Sequence, residues 1–189
     1  MKKISKFNLI MPSAKVNNHW GDLQIGFYEN SDVYPLMPIL QQEFPNWNSK
    51  RINSYMQLVM SEDKNISGVI TAKNESGYYV GCLIYTYQQV SSEIINNTSD
   101  ENKTFNVFVV ENLNSCVPIL QKKIFLSLID EAIYIAKTNY CEYIELPNLA
   151  NEGYELIKTK YNNQIQEPKT FRTYLKIPES LIPYESINV

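Results

Sequence analysis

The sequence is poor in glycine, cysteine and histidine, and each shortage removes a class of chemistry. Six glycines among 189 residues is roughly half the usual share. Few backbone sites therefore have the freedom that a glycine-rich phosphate loop requires. No G-x-G-x-x-G, no G-x-x-x-x-G-K-[ST] and no G-x-S-x-G occurs. That removes the dinucleotide fingerprint, the P-loop and the nucleophile elbow. The cysteines are three, Cys82, Cys116 and Cys141, odd in number and without C-x-x-C spacing. They build neither a disulfide framework nor a zinc site. The single histidine, His19 in "NNHWGD", leaves no histidine pair for a metal, so no metal is expected.

Charge of one sign is also missing. Seventeen Lys and Arg against twenty Asp and Glu give a net charge of −3. There is no basic footprint for nucleic acid or an anionic membrane. Long hydrophobic runs are absent as well. The opening "MKKISKFNLIMPSAK" carries an apolar stretch too short for a signal peptide, and no stretch reaches transmembrane length. The expectation is a soluble cytoplasmic protein.

What the chain has is enough length for one core, and fourteen tyrosines suited to half-buried surfaces and clefts. We divide it into an N-terminal extension (1–21), one domain (22–178) and a tail (179–189). "DLQIGFYEN" reads as a strand. In "SDVYPLMPILQQEFP", Ser31 or Asp32 can cap a helix that Pro35 tolerates and Pro38 shortens or kinks. "NSKRINSYMQLVMSED" places Ile52, Tyr55, Met56, Val59 and Met60 on one helical stripe, capped by Asn48 or Ser49. The period then changes to strand. "SGVITAK" and "YYVGCLIYTYQQ" flank the turn signal "NESG". "VSSEIINNTSDENK" reads as a surface loop that Ile94 and Ile95 can anchor. "TFNVFVV" is another strand. The segment from Pro118 is the strongest helix, burying Leu120, Ile124, Phe125, Leu128, Ala132, Ile133 and Ala136. "EYIEL" is a short strand, "NLANEGYELIKTKY" a helix, and "TFRTYLKI" a last strand. The order β-α-α-β-β-β-α-β-α-β predicts an α/β (α+β) fold, its sheet antiparallel first and partly parallel later.

This order, with the hairpin "GVITAKNESGYYVGCLIY", the strand "NVFVVEN", the long helix from Pro118 and "ELPNLANEGYEL", resembles the GNAT-family N-acyltransferases over roughly Gln24 to Pro178. The resemblance implies a GNAT-like, mostly antiparallel sheet of about six to seven strands flanked by about four helices. It implies acetyl-CoA or another acyl-CoA as co-substrate, with the amine of a small molecule or protein as acceptor. A partnership with nucleic acid or membrane is not expected, and the chain is a monomer or homodimer.

On the family pattern, the backbone N–H groups of Val109 or Val110 hold the thioester carbonyl. The turn through Ser115, Cys116, Ile119 and Leu120, with Lys122 and Lys123 on the first helical turn, meets the pyrophosphate. Its family signature, Gln/Arg-x-x-Gly-x-Gly/Ala, is replaced here by "ENLNSCVPILQ", which carries no glycine. Tyr154 stands where the general acid lies, with Tyr161 as a competitor, and Glu111 follows the fourth strand as a candidate base. Tyr79, Tyr85 and Tyr87 fall on one face by strand alternation, so they either line an acceptor cleft or cover a sheet edge. A rival reading is a catalytically inactive GNAT-like binding or regulatory module that has lost CoA binding. A third has an acyl donor other than CoA, such as an acyl-carrier protein.

Overall fold

A computed structural model describes residues 15–16, 22–61, 63–64, 66–96, 103–147, 151–166 and 172–178. Its centre is one eight-stranded sheet. The strands are β1 (Lys15–Val16), β2 (Leu23–Phe27), β3 (Ser67–Lys73), β4 (Tyr79–Ser91), β5 (Thr104–Ser115), β6 (Tyr143–Leu146), β7 (Ile165–Gln166) and β8 (Thr173–Lys176). Their spatial order is β1-β2-β3-β4-β5-β6-β8-β7. Every pair is antiparallel except β5 with β6. Among the described residues, five α-helices accompany it: α1 (Met37–Glu43), α2 (Ser49–Ser61), α3 (Ser92–Asn96), α4 (Gln121–Thr138) and α5 (Asn151–Tyr161). Among the described residues no helix is long and apolar enough to cross a membrane.

Local chemistry explains the helices. The Asn48 carboxamide oxygen accepts from the Arg51 N–H at 2.9 Å, so Asn48 is the cap of α2. Ile52, Met56 and Val59 are buried, with Tyr55 and Met60 packed beside them. The α-helix that holds Pro38 is short, as expected. The chain makes a 3-10 turn over Tyr34–Leu36 and starts α1 at Met37. Pro38 thereby falls in a first turn, where a missing N–H costs nothing. Helix α4 buries Ile124, Phe125, Leu128, Ala132 and Ala136 as its spacing predicts, while Leu120 and Ile133 pack at the margin.

The two sheet faces carry separate cores. On one face α4 and α5 cover Ile25, Ile70, Leu83, Tyr85, Phe108, Val110, Leu113 and Ile144. On the other, α1 and α2 cover Val69, Cys82 and Ile84. Further along that second face Val90, Ile95, Phe105, Val107, Val109, Tyr143 and Tyr174 form a third cluster. Ile95 anchors the segment after β4, as its sequence suggests, and the segment winds into α3 rather than staying a loop.

Two register shifts govern which side chains meet. In β4, Lys73 pairs with Tyr79 but Ala72 pairs with Gly81, so Val80 is an extra residue. In β5, Ile84 pairs with Asn112 but Tyr85 with Val110, so Glu111 is an extra residue. A bulge of this kind reverses face alternation beyond it and re-aims one side chain.

Candidate active site

The parallel pairing of β5 with β6 covers only Val107/Tyr143, Phe108/Ile144 and Val109/Glu145. Strand β6 ends one residue later, whereas β5 runs on to Ser115. Among the described residues, no strand pairs with the β6 side of β5 from Val110 onward. Backbone donors along that side of β5 can meet a bound molecule there. The bulge at Glu111 lies at the start of that opening. Val109 and Val110 are buried, while Glu111 is exposed and accepts from the Thr86 hydroxyl at 2.9 Å.

Polar groups gather on the α1/α2 face of the opening. Thr86, Val109, Glu145 and Tyr174 form one cross-strand row through β4, β5, β6 and β8. The Tyr174 hydroxyl donates to Glu145 at 2.9 Å, and Arg172 pairs with the same carboxylate at 3.0 Å. Burial, and then the Glu145 bond, push the Tyr174 phenol up to about 12, while Glu145 raises the Arg172 guanidinium above its ordinary value. Beside Glu111, the buried Asn112 donates to the Glu43 carboxylate on α1 at 2.7 Å and accepts from Asn114 at 2.7 Å. Tyr55 of α2 is raised by burial and then by Glu111. Among the described residues no buried side-chain nitrogen or oxygen lacks a partner.

At the other end of β5 the chain turns into α4 with most of its donors already engaged. The Cys116 N–H donates to the Val80 carbonyl at 3.1 Å. The Val117 N–H donates to the Ser115 hydroxyl at 3.2 Å. Pro118 has no N–H. Leu120 donates to the Val117 carbonyl and Gln121 to that of Pro118, closing a 3-10 turn. Ile119 is 78% exposed, and its N–H is one of the leading helix donors without an intrahelical acceptor. Lys122 is exposed and Lys123 half-buried in the first turn of α4. Burial holds the Cys116 thiol above its ordinary value, which keeps it protonated and weakly nucleophilic.

The tyrosine expectation needs correction. The bulge at Val80 sends Tyr79 to the α1/α2 face, where it meets Tyr28 edge-on at 5.3 Å. Tyr85 and Tyr87 remain on the α4 face. Tyr85 is 0% exposed, stacks on Phe108 at 4.7 Å and donates to the Lys64 carbonyl at 3.1 Å. It is a core residue, not a cleft lining. Tyr87 accepts from the Asn139 amide at 3.0 Å. Of the two candidate acids, Tyr161 is buried and donates to the Asp130 carboxylate at 2.5 Å, joining α5 to α4. Burial and that bond raise its phenol strongly, a poor property for a proton donor. Tyr154 lies on α5, and its side chain lies outside the described residues, as does His19. Sequence reasoning missed Thr86, Glu145, Arg172, Tyr174, Asn112 and Glu43. "YIEL" with a glutamate inside a buried strand was the signal for one of them, since a buried carboxylate demands a partner.

Among the described residues the sheet is mixed, and its parallel pair stops short of the end of β5. No family model matches the sequence, and no curated protein matches it significantly. Solved structures do. A GNAT-family acetyltransferase from Staphylococcus aureus Mu50 superposes with TM-score 0.55 at 15% identity, over 82% of this chain and 99% of that one. AAC(6')-Iy in complex with the bisubstrate analogue CoA-S-monomethyl-acetylneamine gives 0.57 at 12%, over 78% and 93%. AtaT complexed with acetyl-methionyl-tRNAfMet gives 0.55 at 11%, over 85% and 97%. The chain has the fold of GNAT acetyltransferases.

Proposed function

We propose that this protein is an N-acyltransferase that moves an acyl group, in the simplest case acetyl, from acyl-CoA to the amine of a small molecule or protein. The observation that carries the reading is the end of β5–β6 pairing at Val109/Glu145 while β5 continues through a bulge at Glu111. A thioester laid along the exposed β5 edge meets backbone donors at Val109 or Val110, which stabilise the carbonyl oxygen as it gains charge. The amine nitrogen attacks the carbonyl carbon, the N–C bond forms and the C–S bond breaks. Glu111 takes the amine proton, directly or through water, and Tyr154 gives a proton to the departing thiolate. Holding both reactants in one cleft supplies much of the rate.

The phosphates of CoA would be met by the Ile119 N–H, the Ser115 hydroxyl and the side chains of Lys122 and Lys123. Cations in a first helical turn oppose the helix dipole, and a bound anion relieves them. Cys116 and Leu120 shape this turn through the bonds above rather than donating to phosphate. The CoA bisubstrate analogue held by a structural neighbour supports an acyl-CoA donor. The test is acyl transfer from acetyl-CoA to an amine panel, read as free thiol. Tyr154→Phe should lower turnover more than CoA affinity, and Glu111→Gln should lower it most at low pH. Unchanged turnover in both would remove these residues from the chemistry.

One observation favours a second reading, a GNAT-like binding module that does not hold CoA. The turn before α4 satisfies Cys116, Val117, Leu120 and Gln121 from within the chain, leaving few backbone donors for a pyrophosphate.

A further inference from the structure

Arg172 precedes β8 and lies beside the point where β5 and β6 part. Its position follows from register: Glu145 pairs with Tyr174 and Leu146 with Thr173, so Arg172 falls just past the end of β6. Two residues before Tyr174, it shares that residue's face, which is the face of Val109, Thr86 and Glu111. Its Nη1 lies 3.0 Å from one Glu145 oxygen and 3.1 Å from the other. Glu145 is held in turn by the Tyr174 hydroxyl.

The burial of this pair is lopsided. The Glu145 side chain is 10% exposed and the Arg172 side chain 56% exposed. A buried carboxylate thus fixes one nitrogen of a guanidinium whose remaining bulk faces solvent. A guanidinium has five N–H donors in a rigid plane. The Glu145 contacts involve Nη1 alone and Tyr174 is a further hydrogen-bond partner; the outer edge of the guanidinium is a fork of the kind that takes carboxylate or phosphate.

The opposite charge sits across the same opening. Glu111 and Arg172 lie at the same level, each two residues beyond the row Thr86–Val109–Glu145–Tyr174. Strand β6 runs between their two strands, and the Arg172 guanidinium reaches back to Glu145. Val109, the residue at the thioester on the reading above, lies two residues before Glu111 on β5.

We propose that Arg172 is an anion anchor of the acceptor site: the acceptor is an amine that also carries a carboxylate or phosphate, its ammonium at Glu111 and its anionic group on the open edge of the Arg172 guanidinium. This rests on the acyl-transfer reading. Arg172 is a specificity residue and takes no part in the proton transfers.

Two matched pairs of acceptors isolate the anionic group: glycylglycine against glycylglycinamide, and phosphoethanolamine against ethanolamine. Transfer from acetyl-CoA and calorimetric binding without acetyl-CoA are measured for all four. The expected result is a preference of about tenfold or more for an anionic member, as a charge-assisted bond supplies. The pair showing it tells carboxylate from phosphate. Arg172→Gln should erase the preference and Arg172→Lys, which keeps the charge without the fork, should reduce it. Arg172→Lys also serves if Arg172→Gln, by leaving Glu145 unpaired, fails to fold. Equal binding within both pairs, binding of neither anionic member, or a preference that survives both variants overturns the proposal. Anion-preferring binding with no acyl transfer to any amine keeps the anchor and removes the acyl-transfer reading instead.

Discussion

Asn112 offers the most exposed test of how the opening is built. It is buried on β5 next to the Glu111 bulge, donates to Glu43 at the end of α1 and accepts from Asn114. It is therefore the polar tie between α1 and the splayed strand. Asn112→Ala removes a hydrogen bond to a charged group, worth about 1.5–3 kcal/mol, and a neutral one worth about 1. Glu43 is exposed and regains water, which trims the loss, so we expect about 2 kcal/mol. For a domain of this length each kcal/mol moves the midpoint by roughly 2–4 °C, giving a fall of about 4–8 °C. Thermal unfolding followed by circular dichroism reads it directly. Glu43→Gln keeps an acceptor oxygen, loses only the charge assistance, and should move the midpoint by less than half as much. A midpoint for Asn112→Ala within about a degree of the parent would refute the tie, and so would an equal effect from both substitutions.

Three further outcomes follow from the packing and the buried acids. A Cβ on Gly81 would meet the Ile124 methyl at 2.3 Å and the Asn114 carbonyl at 2.9 Å. Gly81→Ala should thus push α4 off the sheet and cost about 1–3 kcal/mol, measured by urea unfolding; a neutral result would mean α4 does not sit that close. Tyr85→Phe removes the bond to the Lys64 carbonyl and should cost about 1 kcal/mol without altering acceptor KM, whereas a change in acceptor KM would return Tyr85 to the site. Burial raises Tyr28, Cys82 and Cys141 to about 12, and Tyr174, through burial and Glu145, to the same value. Folded values above the unfolded ones mean this stability is fully present below pH 9 and lost as pH climbs toward 12. Stability should fall across that window, and a flat profile would contradict the burial.

The sheet and its helices were legible because period and caps are local. The α2 stripe, the Asn48 cap, the "NESG" turn and the buried face of α4 need only neighbouring residues. The site was less legible because it depends on register. Strand alternation alone groups Tyr79 with Tyr85 and Tyr87. One extra residue at Val80 separates them, and Gly81 beside it is a weak local sign of a bulge. The strand "TFNVFVV" continues through Asn112 and Asn114, two polar residues that read as a loop until Glu43 is found opposite them. The row Thr86–Val109–Glu145–Tyr174 joins four distant segments, which no local pattern reveals. The turn "NSCVPIL" was visible as glycine-free, but the acceptors used by Cys116 and Val117 were not.

The central claim is that this fold still takes an acyl-CoA, and thermal unfolding with and without acetyl-CoA, with free CoA as control, tests it most directly. A ligand that binds only the folded chain adds RT ln(1 + [L]/Kd), roughly 2.7 kcal/mol at a hundredfold excess over Kd, or about 5–10 °C in midpoint for a domain of this length. We expect a rise of that order at millimolar acetyl-CoA, reduced by Lys122→Glu with Lys123→Glu. An unmoved midpoint would contradict the account and leave the self-satisfied turn before α4 as the mark of a fold that no longer holds the cofactor.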